Sequence, residues 1–347
     1  MISWLKGIRH PDAYHGSHDQ RPFFEGWYHK MVTKDGEAIA VIPGVYRSSG
    51  SDHEFAFIMI YNSVNDHVHF ERFSMDDFNA YSDSYSVRIG ENRFSSQGLE
   101  LKINSPDISI RGNIGFSMLS PWPVTWREPG CMGWYGYMPF MECFHGILSM
   151  DHSLTGRIIY DDIKFDFEGG KGYIEKDWGR NFPRAWIWTQ ANHFQNRRMS
   201  LSASIAVVPY QGREFAGFII GLLSDDHFHR FTTYRGGDIK ELEIVDSKVR
   251  WVLEQDDQYL EIRISPGKKT GCLFAPGPMD MIPKVPEYLD ANVRIIFDDG
   301  SGTILEDESN IAALETVGEL DDLLKMTFFH VFYSVFCGFS LLKLRVS

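Results

Sequence analysis

Two carboxylates, Glu175 and Asp177, stand two residues apart in the run Tyr173-Ile174-Glu175-Lys176-Asp177-Trp178. If that run is extended, Tyr173, Glu175 and Asp177 share one face, and Ile174, Lys176 and Trp178 share the other. The strand rise then sets the two carboxylates about 7 Å apart. Facing an apolar cavity, at least one of them would have its pKa pushed upward by desolvation and like charge. That is how a carboxylic acid keeps its proton near neutral pH. Facing solvent, the same residues would form a charged ladder with Lys171, Lys176 or Arg180. Both settings stay open on spacing alone. Downstream, Trp186-Ile187-Trp188 would place two indoles on one face of a strand.

Other chemistries lack their signatures. There is no GxSxG, HExxH or Walker loop, and no GxGxxG following a strand. The pairs His67/His69 and His227/His229 put two imidazoles on one strand face, but no third ligand is evident, so no metal is expected. A net charge of −13 without a Lys/Arg cluster argues against nucleic acid. The four cysteines are dispersed and form no CxxC, as suits reduced thiols in a cytoplasm.

The elements around these residues read as strands. Alternation with β-branched and aromatic residues marks 99–103, 108–114, 157–167, 251–253 and 259–264. Asp35-Gly36 and Asp299-Gly300 mark hairpin turns. Ser309–Leu324 contains the only plausible amphipathic helix, and even its start could be a strand. At an offset of 160 residues, Glu54–Ile60 resembles Glu214–Ile220, and Asp66-His67-Val68-His69 matches Asp226-His227-Phe228-His229. At the same offset Trp27-Tyr28 falls opposite Ile187-Trp188. A period that long means a duplicated domain. The expected fold is therefore all-β: two tandem lipocalin-like barrels with few helices, or else sandwiches. The boundary is set by the Gly/Pro-rich stretch from Pro121 to Pro139. It gives domains at 1–125 and 126–320, then an apolar tail at 321–347. Aromatic content of 14% suits thick β cores or pockets for bulky apolar ligands.

Met326–Leu342 carries no formal charge, at the lower length limit for a membrane span. Anchoring, packing on the body, and an irregular extension are the three readings. A cytoplasmic protein is the setting expected, with peripheral membrane contact through this tail as an open alternative.

The run 172–188 resembles the signature of the tocopherol cyclase family. So do Tyr14-His15-Gly16, Phe24-Glu25-Gly26-Trp27-Tyr28 and Met141-Glu142-Cys143-Phe144-His145-Gly146. The likeness spans most of residues 11–318, and the family is similar in fold to two-barrel proteins that include carotenoid hydratases. It implies an acid-initiated cyclisation of a prenylated quinol to a chromanol, with no cofactor. By the same resemblance Glu175 matches the hydratases' acidic proton donor, and Tyr173 and His145 match its functional neighbours. Trp178, Trp186, Trp188, Asp177, Trp27 and Glu25 are the expected substrate-binding residues, around an apolar or prenylated small molecule in a barrel lumen. Asp177 departs from the pattern, since the family commonly carries Asn there. The alternatives are a non-catalytic carrier of an apolar small molecule, and an enzyme of this fold hydrating or cyclising another isoprenoid-type substrate.

Overall fold

The computed structural model describes residues 10–16, 20–50, 53–138, 141–196, 198–210, 213–225 and 227–327. Beyond Thr327, the expectations about the apolar tail lie outside the described residues.

The first twelve strands form one antiparallel sheet. They are β1 (Phe23–Val32), β2 (Ala38–Arg47), β3 (Glu54–Asn62), β4 (Val68–Phe73), β5 (Phe78–Ala80) and β6 (Ser86–Ile89). Then follow β7 (Asn92–Ser95), β8 (Gly98–Ser105), β9 (Ile108–Ser117), β10 (Cys143–Tyr160), β11 (Ile163–Asp166) and β12 (Lys171–Gly179). Their spatial order is β4-β3-β2-β1-β12-β10-β9-β8-β7-β6-β5, with β11 on β10. The second sheet holds β13 (Trp186–Ala191), β14 (Met199–Tyr210), β15 (Arg213–Ser224), β16 (His227–Thr232) and β17 (Asp238–Val245). It is completed by β18 (Lys248–Gln255), β19 (Gln258–Ser265), β20 (Gly271–Pro276), β21 (Met281–Asp298) and β22 (Ile304–Val317). Its order is β16-β15-β14-β13-β22-β21-β19-β18-β17, with β20 on β21.

The nine strands on the second path match the first nine on the first, which runs on through β6 and β5, so the duplication read from the 160-residue offset is a duplication of topology. The lipocalin-like class holds, although neither sheet closes its ladder into a hydrogen-bonded barrel. Each instead curls around its own apolar core. Trp27, Val41, Ile58, Leu101 and Ile174 lie in the first, and Ile187, Leu201, Ile220, Trp251 and Leu314 in the second. A third apolar layer joins the halves, where Phe24, Tyr28, Phe57 and Tyr173 meet Trp186, Trp188, Leu273 and Val285. Strand alternation explains how β1 serves two layers: Phe23, Trp27 and Met31 point into the first core, Phe24, Tyr28 and Val32 into the third.

Two expectations need correction. The boundary is not at 121–139, because β10, β11 and β12 pair into the first sheet. The chain crosses between sheets at residues 180–185, and 121–138 is a long connection from β9 to β10. It also bridges the halves: the Trp122 ring packs edge-on against Phe228, and Glu128 binds Arg230 and Arg235 at 2.9 and 2.8 Å. The Gly/Pro content marks a connection that must turn often, which is not the same as a domain linker. Within Ser309–Leu324, the start is the strand offered as the alternative, and helix occupies only the last residues. β22 runs to Val317 between β13 and β21, and helix begins only at Leu320. Both faces of β22 are covered, Ala312 and Leu314 by the second core and Ala313 and Val317 by the interlayer. A strand buried on both sides shows no polar alternation, and periodicity cannot separate it from a helix.

Candidate active site

The site forms where the central strands of the two sheets face each other. In the first sheet, antiparallel register aligns Tyr28 of β1, Glu175 of β12 and Ile147 of β10 in one row. The matching row in the second sheet is Trp188 of β13, Glu315 of β22 and Glu287 of β21. Directly opposed residues share a face, so both rows project into the layer between the halves. A cavity of about 210 Å³ opens there, lined by Tyr28, His145, Glu175, Asp177, Trp186, Trp188 and Glu315 among polar and aromatic groups. Its other walls are apolar, including Phe57, Met59, Phe215, Ile219, Leu273 and Phe274. Gly26, beside Asp177 in the register, leaves room on the floor. Its nearest neighbour to an added Cβ would be Ile42 Cγ2 at 3.5 Å, an ordinary contact.

Glu175 is 5% exposed, and its two oxygens are treated differently. The Tyr173 hydroxyl donates to Oε2 at 2.5 Å and the Trp188 indole N–H donates to the same oxygen at 3.0 Å. His145 Nε2 stands 3.6 Å from it. Oε1 has no hydrogen bond to a described residue, and the residue lines the cavity. Burial, with Asp177 as a neighbouring like charge, lifts the Glu175 pKa to about 7 against the opposing pull of His145 and the two donors. His145 is held from the other side by Asp177 Oδ1 at 2.9 Å from Nδ1. Burial alone would lower the imidazole, but the Asp177 and Glu175 carboxylates outweigh it and raise the pKa to about 9. Both ring nitrogens thus face acceptors, the arrangement of an imidazolium. The Tyr173 hydroxyl also lies 2.9 Å from Ser202 Oγ in the second half. Tyr173 is fully buried and does not line the cavity, so its contribution is to hold Glu175.

His145, Glu175 and Asp177 are also the one group of three among the described residues whose ligand atoms lie within 4.8 Å of one another. A divalent cation there would have to displace the His145–Asp177 hydrogen bond and the Glu175 proton. In the described contacts those atoms are engaged with one another and with Tyr173 and Trp188.

A model of the family described as tocopherol cyclase-like matches residues 113–318. The chain belongs to that family. It is 24% identical over 379 residues to the rice protein (Oryza sativa subsp. japonica) named "Probable tocopherol cyclase, chloroplastic", covering 90% of this chain and 79% of the rice protein. It is 22% identical over 382 residues to the chloroplastic tocopherol cyclase of Zea mays, covering 90% and 78%. Among solved structures, CghA with Sch210972 shares the fold at 11% identity and a TM-score of 0.55, over 86% of this chain and 88% of that one.

Not every residue singled out by the family motifs reaches the cavity. Trp186 and Trp188 do, with Ile187 turned into the second core as alternation requires. Glu25, Trp27 and Trp178 do not, and their assignment to the substrate is corrected here. They have the opposite parity on β1 and β12, so they face into the first half. There Lys176 Nζ, fully buried, binds Glu25 Oε1 at 2.8 Å and the carbonyl of Ala13. The ammonium sits 5.1 Å from the Trp27 ring centroid and 4.6 Å from that of Trp178, and His15 stacks on Trp178 at 4.3 Å. Burial would raise Glu25, but Lys176 and His15 outweigh it and hold the carboxyl below the usual carboxylate range. These motif residues pin the N-terminal segment across the first curled sheet. The barrel lumen, expected to hold the substrate, is packed solid at this level.

The sequence reading also passed over Tyr28, Glu287 and Glu315. Tyr28 was detectable as the partner of Trp188 at the 160-residue offset. Glu315 was hidden by reading its strand as helix. The Tyr28 hydroxyl donates to Glu287 across the interlayer, and burial raises the Glu287 pKa to about 8. Lys30, also buried, is pulled down to about 7 by desolvation and donates to the Gln190 and Ile311 carbonyls.

The Glu25–Lys176 pair supplies a stability prediction. Lys176→Met leaves the buried Glu25 carboxylate with His15 as its remaining described partner, which costs up to about 3–5 kcal/mol. Urea unfolding should show that loss, while a shift under about 1 kcal/mol would mean that water or another cation replaces the ammonium.

Proposed function

We propose that this protein closes the ring of a prenylated aromatic quinol, protonating the isoprenoid alkene from Glu175 Oε1. The observation that carries the reading is the asymmetry of that carboxyl. Oε2 is occupied by a tyrosine and an indole donor, Oε1 is unbonded toward an apolar cavity, and the pKa sits at about 7. Membership of the tocopherol cyclase-like family supports the substrate class. A carrier has no use for such a group.

The steps balance as an isomerisation. The Oε1–H bond breaks as a C–H bond forms at the less substituted alkene carbon, leaving a tertiary cation and the Glu175 carboxylate. A lone pair of the phenolic oxygen then forms the C–O bond of the new ring. The phenolic proton is released, and the carboxylate is reprotonated. Each charge that develops has a counterpart. The carboxylate left behind is stabilised by Tyr173, Trp188 and the His145 imidazolium, all in place beforehand. The cation meets the Tyr28, Trp186 and Trp188 rings. Phe57, Met59 and Phe274 would hold the folded chain and keep water from trapping the cation.

Glu175→Gln keeps shape and polarity and removes the transferable proton. The variant should bind a prenylated quinol almost normally and turn over at least about a hundredfold more slowly, the low end for one general acid. Undiminished turnover would dismiss the assignment, and ligand binding with no turnover by the wild type would favour a carrier.

The pH profile follows from the same proton. The working form is protonated Glu175, so kcat should be level below about pH 7 and fall roughly tenfold per unit above it. A rate that rises through pH 7 would require the carboxylate to act as a base.

Dialysis against EDTA tests the alternative use of His145, Glu175 and Asp177. Activity should survive it unchanged; loss with recovery on adding a divalent cation would make the trio a metal centre.

A further inference from the structure

We propose that Glu315, with Trp186, forms a second subsite on the opposite wall of the cavity, which binds an oxygen of the ligand's aromatic head. The inference rests on the cyclase reading and extends it to how the quinol is oriented.

The duplication makes the case. Tyr28 and Trp188 correspond at the 160-residue offset; Glu175 is the register partner of the first and Glu315 of the second. The two acids are therefore the same position in two copies of one fold, looking into one cavity from opposite sheets. Both receive an indole N–H on Oε2, Glu175 from Trp188 at 3.0 Å and Glu315 from Trp186 at 2.7 Å. In each, Oε1 has no hydrogen bond to a described residue.

What surrounds them differs, and the difference assigns the roles. Beside Glu175, Tyr173 and Asp177 lie two residues away on the same face, with His145 next to Asp177. The corresponding places around Glu315 hold Ala313 and Val317, and continuing the β21–β22 register puts Val285 next to Val317. At those places no imidazole, phenol or carboxylate stands; the one acid beside Glu315 is its register partner Glu287, which the Tyr28 hydroxyl holds from across the interlayer. Glu315 thus lacks a counterpart of the His145–Asp177 pair and keeps its place on the cavity wall. Burial, and then the neighbouring Glu287 carboxylate, raise Glu315 well above the ordinary carboxylate range. A neutral carboxyl whose Oε2 accepts from Trp186 presents Oε1–H as a donor. Its partner in an otherwise apolar cavity would be a phenol or quinone oxygen of the head, leaving the prenyl chain to reach Glu175.

The test is calorimetric, with two probes on wild type, Glu315→Leu and Glu315→Gln. The probes are a geranylated hydroquinone and geranylbenzene, which lacks both oxygens. Wild type should bind the hydroquinone about tenfold more tightly, the worth of a hydrogen bond to an otherwise unpaired buried group. Glu315→Leu should reduce that preference to under about threefold without weakening geranylbenzene binding, and Glu315→Gln should retain most of it. Thermal unfolding of both variants shows that they fold. If Glu315→Leu keeps the full preference, the subsite is wrong and the cyclase reading stands. If wild type binds neither probe, the reading of the ligand class falls, and the subsite with it.

Discussion

A carboxyl group that must give its proton to an alkene has to be kept out of water until it does so. In water Glu175 would ionise several pH units too early, and any cation it made would be captured by solvent. Burial between two sheets solves both problems, because desolvation is the largest influence holding the proton on. A buried carboxyl then needs donors if its anion is to be tolerable during turnover, and Tyr173 and Trp188 supply them to one oxygen while leaving the other free. One of those donors comes from each half. The acid is therefore a product of the interface, and neither sheet alone could set its chemistry.

In the proposed reading, the duplicated architecture meets that requirement. A single curled sheet fills its own lumen, here with Trp27, the Glu25–Lys176 pair and the N-terminal segment. Two such sheets packed through their outer faces create a second apolar layer, and the central strands of both meet there. Space arises where small residues interrupt that layer, as Gly26 does on β1 and Gly217 on β15. The acids at this layer, Glu175, Glu287 and Glu315, accept four hydrogen bonds from aromatic side chains, and two of the four cross between the halves. Those bonds fix how the sheets sit against one another as well as the state of each proton.

Much of this was legible in the residues. The parity of 173–178 separated Tyr173, Glu175 and Asp177 from Lys176 and Trp178, and the structure keeps that division. The 160-residue offset revealed the duplication, since β3 and β15 bury the same apolar pattern in the same place. Motif membership misled where parity would have corrected it: Glu25, Trp27 and Trp178 belong to the shared motifs, yet they serve the packing of the first half. The true crossing point at 180–185 was hidden because each sheet is completed by strands distant in sequence, β12 returning beside β1 and β10 beside β12. Such pairing leaves no local mark. Glu315 escaped for a related reason, because β22 is buried on both faces at Ala312–Leu314 and loses there the alternation of its first half.

The central claim is that a proton exchangeable with solvent is placed on a carbon of the isoprenoid chain by a carboxyl at the interface of the two halves. Turnover of a prenylated quinol in D2O, followed by NMR of the cyclised product, tests it most directly. The account predicts one deuterium per molecule, on the carbon next to the new ring-closing centre and in a single stereochemical position, because Glu175 addresses the alkene from one wall. A product without carbon-bound deuterium would contradict it, and so would label divided equally between the two faces of that carbon.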